Sequence, residues 1–213
     1  MVLFVSKSRE AWQKLYSKHG YQYGGSGDIA PLDKFLREGM VVLDVGCGDG
    51  KTTELLARKS EVLACDFSRE ALLSLRSQRD PERLVNLVEC NIGSLPFEQE
   101  KFDAVSCVHA LSHLLARERE GAATEISRVL RRGGMLLVEV FGKSDFRFGE
   151  GKEIEDSTFE RGNGILTHYF QEGEIPMLFG NMELLSEIST VKRVSFGTSA
   201  GRRDMLKVIL RKR

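Results

Sequence analysis

The sequence predicts an α/β fold: a doubly wound, mostly parallel sheet with a C-terminal antiparallel hairpin and an insertion after the fifth strand. Three observations carry that expectation. From residue 41 to residue 140, apolar runs alternate with helix-compatible stretches, the pattern of parallel strands covered on both faces. The first run, Val41-Val42-Leu43-Asp44-Val45, breaks into glycines on alternate positions, Gly46, Gly48 and Gly50, and a helix start follows at once. The chain then ends on two β-rich runs, Val191–Phe196 and Met205–Arg211, with a glycine- and serine-containing turn between them.

The 213 residues fit one domain. Residues 1–30 form an N-terminal helix and flap, 31–140 the core, 141–175 the insertion, and 176–213 a last helix and the hairpin. Glu10–His19 is helix-like, with Trp12, Leu15 and Tyr16 on one face. The glycine- and tyrosine-rich loop after it, which holds Tyr23, reads as a flap over a bound ligand. Pro31 opens a short helix. The glycine strand leads into a helix over Thr52–Lys59. Val62–Cys65 is the second strand and ends on Asp66. Ser68 caps a helix from Arg69 to Gln78. Val85–Cys90 and Phe102–Val108 are the third and fourth strands. A long helix, Leu114–Leu130, reaches Gly133-Gly134 and the fifth strand, Met135–Val140. Gly164–Phe170 reads as a strand or extended cover within the insertion. Glu174–Ile188 reads as the last helix, despite Pro176 and Gly180.

Lysines plus arginines equal aspartates plus glutamates at 31 each, so no global field favours an anionic partner. The last 22 residues do: they hold eight basic residues and one acid, Asp204. The four cysteines form no C-x-x-C pair and read as small core residues in a reducing compartment. No apolar run reaches the ~20 residues of a membrane helix. The expectation is a cytoplasmic protein without a membrane partner.

A strand that runs into glycines and a helix start is a ligand cradle, because backbone N–H groups can approach the ligand with no Cβ between. The spacing Asp-x-Gly-x-Gly-x-Gly is one residue tighter than a dinucleotide fingerprint. Asp66, at the end of the second strand, is placed to accept both hydroxyls of a ribose. A nicotinamide-dinucleotide oxidoreductase is therefore the weaker reading, and a non-catalytic cofactor-binding module is a third.

Five segments in order carry a family resemblance. Val42–Gly50, Val62–Ser68, Asn91–Phe97, Phe102–Val105 and Leu130–Gly134 together resemble a class I S-adenosylmethionine-dependent methyltransferase, of the type 11/12 kind. The resemblance implies a Rossmann-like fold, S-adenosyl-L-methionine as cofactor and S-adenosyl-L-homocysteine as product. It implies that Gly46, Cys47, Gly48 and Gly50 admit the ribose and methionine part. Asp44 would organise the loop and reach the ammonium. Asp66 would hold the ribose, Phe67 would pack on the adenine, and Asn91 and Ile92 would flank its edge. The Cys107 carbonyl would face the amino-acid part, and Tyr23 would join the cofactor set from the flap. Asn91 stands where the family usually has Asp.

Methyl transfer from a sulfonium is an in-line displacement, so alignment and water exclusion matter more than a catalytic group. Four residues could still assist at the acceptor: His109, His113, His168 and Tyr169. No carboxylate has ligand spacing with the histidines, so no metal is expected. Residues 150–175 are faintly similar to tellurite-resistance-type small-molecule methyltransferases. His168–Glu174 is similar to tRNA wobble-uridine carboxymethyl methyltransferases. A small-molecule acceptor is the main expectation; tRNA, bound through the basic hairpin, is the alternative.

Overall fold

The computed structural model describes residues 7–19, 28–196 and 199–213. Among them, seven strands form one sheet in the order β3-β2-β1-β4-β5-β10-β9. Strands β1 (Val41–Val45), β2 (Glu61–Asp66), β3 (Val85–Glu89), β4 (Phe102–Val108) and β5 (Leu130–Phe141) are parallel neighbours. Strand order reverses between β1 and β4, which places a crevice at their C-terminal ends.

Alternate residues of each central strand face opposite layers, as the period of two demands. Leu43, Val105, Leu136 and Val138 pack against Ala122, Ile126 and Val129 of α5 (Ala116–Val129). Val42, Val62, Ala104 and Leu137 pack against Leu32, Leu56, Leu72 and Leu75. Those four leucines come from α2 (Ala30–Asp33), α3 (Thr53–Leu56) and α4 (Arg69–Gln78). The six leucines and valines named on β1, β4 and β5 are fully buried, so truncating a leucine among them, as in Leu137→Ala, removes about 2–5 kcal/mol. Ser68 caps α4 by accepting the Ala71 N–H at 3.3 Å.

The insertion after β5 is a small antiparallel sheet of β6 (Lys152–Glu155), β7 (Thr158–Glu160) and β8 (Leu166–His168). It lies beside the 3₁₀ turn Ala110–His113 that follows β4. Helix α1 (Lys7–His19) meets it: Ser8 Oγ accepts the Leu166 N–H at 3.2 Å.

The structure departs from the sequence expectation after residue 174. The last helix, α6, spans only Glu174–Leu178. Residues expected to continue it form β9 (Met182–Phe196), paired antiparallel along β10 (Ser199–Lys212). Pro176 and Gly180 weaken a helix here, and the ladder offered by β10 decides the rest. The expected helix over Thr52–Lys59 shrinks to the single turn α3.

Candidate active site

A cavity of about 550 Å³ opens at the C-terminal ends of β1, β2 and β4 and continues under the insertion to the hairpin. One half is built on the glycine turn. The Gly46 and Cys47 N–H groups both donate to the Cys65 carbonyl, at 2.8 and 3.0 Å, which pins the turn to β2. Gly46 and Gly48 have φ of +67° and +54°, the left-handed region that favours glycine. A Cβ on Gly46 would meet Ala110 Cβ at 2.5 Å, and one on Gly48 would meet the Tyr16 hydroxyl at 2.6 Å.

Two acids hold this half. Asp66 Oδ2 accepts the Gly48 N–H and Oδ1 accepts the Ser68 N–H, both at 2.9 Å. Burial raises its pKa, and the N–H groups of Ser68, Gly48 and Phe67 oppose that. Asp44 is buried and its Oδ2 accepts the Thr53 hydroxyl at 2.7 Å. Burial pushes the Asp44 carboxyl up to about 6. From α1, Trp12 and Tyr16 complete the wall, and the Arg9 guanidinium sits 5.0 Å over the Phe67 ring.

The other half is aromatic and basic. His109 stacks on Phe141 with centroids 4.7 Å apart and planes 6° from parallel. Tyr169 closes the slot beside Phe141 and Phe148. Arg147, Arg161, Lys192, Arg203 and Lys207 line the same wall. A buried lock sets the position of Arg203. Asp204 accepts the Ser144 N–H at 2.9 Å, and the Asp204 N–H donates to Asp145 Oδ2 at 3.2 Å. Asp145 in turn pairs with Arg203 at 3.3 Å. Gly142 passes so close to Asp204 that a Cβ there would sit 2.2 Å from its carboxylate.

The hairpin concentrates the charge further. Lys192 faces Arg203 across the ladder, and Arg193 faces Arg202. Like charges directly opposite destabilise a hairpin, which makes this stretch a candidate surface for an anion.

Asp44, Gly46, Cys47, Gly48, Asp66, Phe67, Asn91 and Ile92 all line the cavity, as do His109, His113 and Tyr169. Three expected residues are elsewhere. Gly50 lies against Leu75, where a Cβ would clash at 2.1 Å, so it packs α4 on the turn. Cys107 is fully buried in the core on β4, beside Val138 of β5, and Val108 and Ala110 take the cavity wall next to it. His168 is buried off the cavity: its Nδ1 shares a 2.8 Å hydrogen bond with the Thr158 hydroxyl and its Nε2 one of 2.7 Å with Glu174. It is a strut between β7 and α6. Tyr23 lies outside the described residues.

His113 is also braced, its Nδ1 2.7 Å from the Leu166 carbonyl and its ring edge on Trp12 at 4.7 Å. Burial drives the pKa of His109 down to about 3 and that of His113 down to about 4, so both are neutral near pH 7. Burial pushes the Tyr169 hydroxyl up to about 12. Sequence reasoning passed over Arg147, Arg161 and Glu139 because each sits in a stretch with no motif around it. The basic count near the C-terminus pointed to Lys192, Arg203 and Lys207 only as a group.

Comparison with known proteins agrees with this geometry. The methyltransferase domain family matches residues 43–138. The chain is 32% identical to the tRNA N(3)-methylcytidine methyltransferase Mettl2 of Drosophila melanogaster, over 89% of this chain and 66% of that protein. It is 31% identical to the tRNA (carboxymethyluridine(34)-5-O)-methyltransferase alkbh8 of Xenopus tropicalis, over 60% of this chain and 20% of that protein. The chain spans 66% of the fly protein but 39% of the related tRNA N(3)-cytidine methyltransferase METTL2 of Mus musculus. Among solved structures, a methyltransferase from Methanosarcina mazei superposes with a TM-score of 0.72 at 25% identity, over 87% of this chain and 98% of that one. Motif order, sheet topology and both kinds of relative point the same way: the chain belongs to the class I S-adenosylmethionine-dependent methyltransferases.

Proposed function

We propose that this protein methylates a cytosine base of tRNA at N3, with S-adenosyl-L-methionine as donor. The observation that carries the reading is the single cavity whose two halves differ in chemistry: glycines and two buried acids on one side, stacked aromatic rings among cations on the other. The relatives' names support tRNA over the small-molecule acceptor expected from the sequence.

The residues of the first half fit the donor. An added Cβ at Gly48 would fill the cradle, and Asp66 is fixed by two backbone N–H groups while its remaining lone pairs can take ribose hydroxyls. Asp44 attracts the cationic end, the glycines of residues 46–48 leave room for it, and Phe67, Asn91 and Ile92 bound the adenine. When bound, S-adenosylmethionine supplies a methyl carbon to the N3 lone pair as its S–C bond breaks, so no proton has to leave. The neutral His109 and His113 suit that balance, since a general base has nothing to remove. His109, Phe141 and Tyr169 offer a slot for a base turned out of its stack. The paired cations of β9 and β10 provide phosphate contacts.

The test is transfer from methyl-labelled cofactor to total tRNA, followed by nucleoside analysis. Label in 3-methylcytidine is expected. Label confined to acid-soluble small molecules removes the reading. Label on a modified uridine at position 34 would replace it with the alkbh8-like alternative.

A further inference from the structure

Three polar side-chain atoms of the cavity wall are buried with no hydrogen-bond partner among the described residues: His109 Nδ1, Arg161 Nε and Thr167 Oγ1. All three belong to the acceptor half. A buried polar atom left unpaired costs about 1–3 kcal/mol, so three in one wall mark a place where a ligand completes the bonding. We propose that these atoms read the edge of the target base, and that His109 Nδ1 determines specificity by accepting a hydrogen bond from the exocyclic amine of cytosine. This rests on the tRNA-cytidine reading above and adds to it which atoms choose the base.

His109 is held in an unusual way for that purpose. It follows β4 directly with φ +63°, a strained conformation for a histidine, and its N–H donates to the Glu139 carbonyl at 2.7 Å. Its ring plane is fixed by the stack on Phe141. Its Nε2 lies 3.7 Å from a Glu139 carboxylate oxygen, whose other oxygen meets Lys207 at 3.0 Å. The nearby Glu139 carboxylate favours by its charge a proton on Nε2, and in that tautomer Nδ1 is an acceptor. The His109 side chain keeps 32% of its surface open, and it is a wall residue of the cavity.

The donors complement this. Cytosine presents an amine on C4, a carbonyl at C2 and the nucleophilic N3 between them. Arg161 Nε–H is a donor suited to the C2 carbonyl, and the Thr167 hydroxyl can serve either edge. Uracil would set its C4 carbonyl against the His109 acceptor, a repulsive pair, and its N3 carries a proton that no residue here is poised to take.

The experiment compares two RNAs: the methylated tRNA as a transcript, and the same RNA with pyrimidin-2-one ribonucleoside at the target position, which keeps N3 and the C2 carbonyl but lacks the amine. Wild-type protein should favour the cytidine RNA in kcat/KM by about 10- to 100-fold. His109→Phe keeps a ring for the stack and deletes Nδ1; its preference should be about tenfold smaller than the wild type's, since the lower N3 nucleophilicity of pyrimidin-2-one acts equally on both proteins. Equal losses on both RNAs, or an unchanged preference, would overturn the proposal. Calorimetry with S-adenosylhomocysteine checks that the variant folds. If it does not, His109→Gly gives the same readout, because glycine tolerates the left-handed conformation and carries no side-chain acceptor. Wild-type transfer with an unchanged His109→Phe preference removes this inference alone. Absence of wild-type transfer to any tRNA cytidine removes it together with the functional reading.

Discussion

Burial lifts the Asp44 carboxyl to about 6, and the sign of that shift decides how the donor half responds to pH. The folded value lies above the ordinary 3.8, so the stability linked to this group is fully present below about 3.8 and is lost as pH rises through about 6. Binding a cationic ammonium runs the other way, since it needs the ionised acid. Affinity for S-adenosylhomocysteine should therefore strengthen by about tenfold between pH 5 and pH 7. Calorimetry across that range checks it. Asp44→Asn should bind weakly at both pH values and lose the slope; a slope that survives the substitution would assign the titration elsewhere. At this scale the sequence was informative where motif spacing fixes a backbone, as at Gly46, Gly48 and Asp66. It was silent on His109 as against His168. Both are histidines near strand ends, and only the tertiary packing puts one in the cavity wall and the other against Thr158 and Glu174.

Among the elements, the central strands were legible because a buried parallel strand must be a continuous apolar run. Strand β9 was not. Leu178, Leu184, Leu185 and Ile188 imitate a helical stripe, and nothing local reveals the long strand beside β10 that claims the last three. The same dependence on partners governs the insertion. His168 bridges β7 to α6, with its ring edge also on Phe170 at 4.4 Å. His168→Ala leaves Thr158 and Glu174 without that partner, at a cost of about 2–4 kcal/mol. The melting temperature should drop by about 4–16 °C, while affinity for S-adenosylhomocysteine at low temperature stays within about threefold. Unchanged melting with lost methyl transfer would instead give His168 a chemical role.

Over the whole molecule, charge sums to zero yet is unevenly distributed. The Arg193–Arg202 pair faces itself across the exposed hairpin, where cross-strand repulsion costs about 0.2–1 kcal/mol. Removing both should raise the melting temperature slightly and weaken tRNA binding. The slope of log affinity against log salt should flatten by about 2 for the double variant Arg193→Ala/Arg202→Ala, read by filter binding. A slope that does not move would take the hairpin out of the RNA path. No helix among the described residues is long and apolar enough to cross a membrane.

The latch between α1 and β8 has a bearing on turnover. Ser8 holds the Leu166 N–H, and Trp12 leans on His113, so the first helix is fastened to the very sheet that roofs the acceptor slot. A displacement of α1 would break that contact and loosen the roof with it. Disturbing that contact, as in Ser8→Ala, should therefore reach both halves of the cavity wall at once.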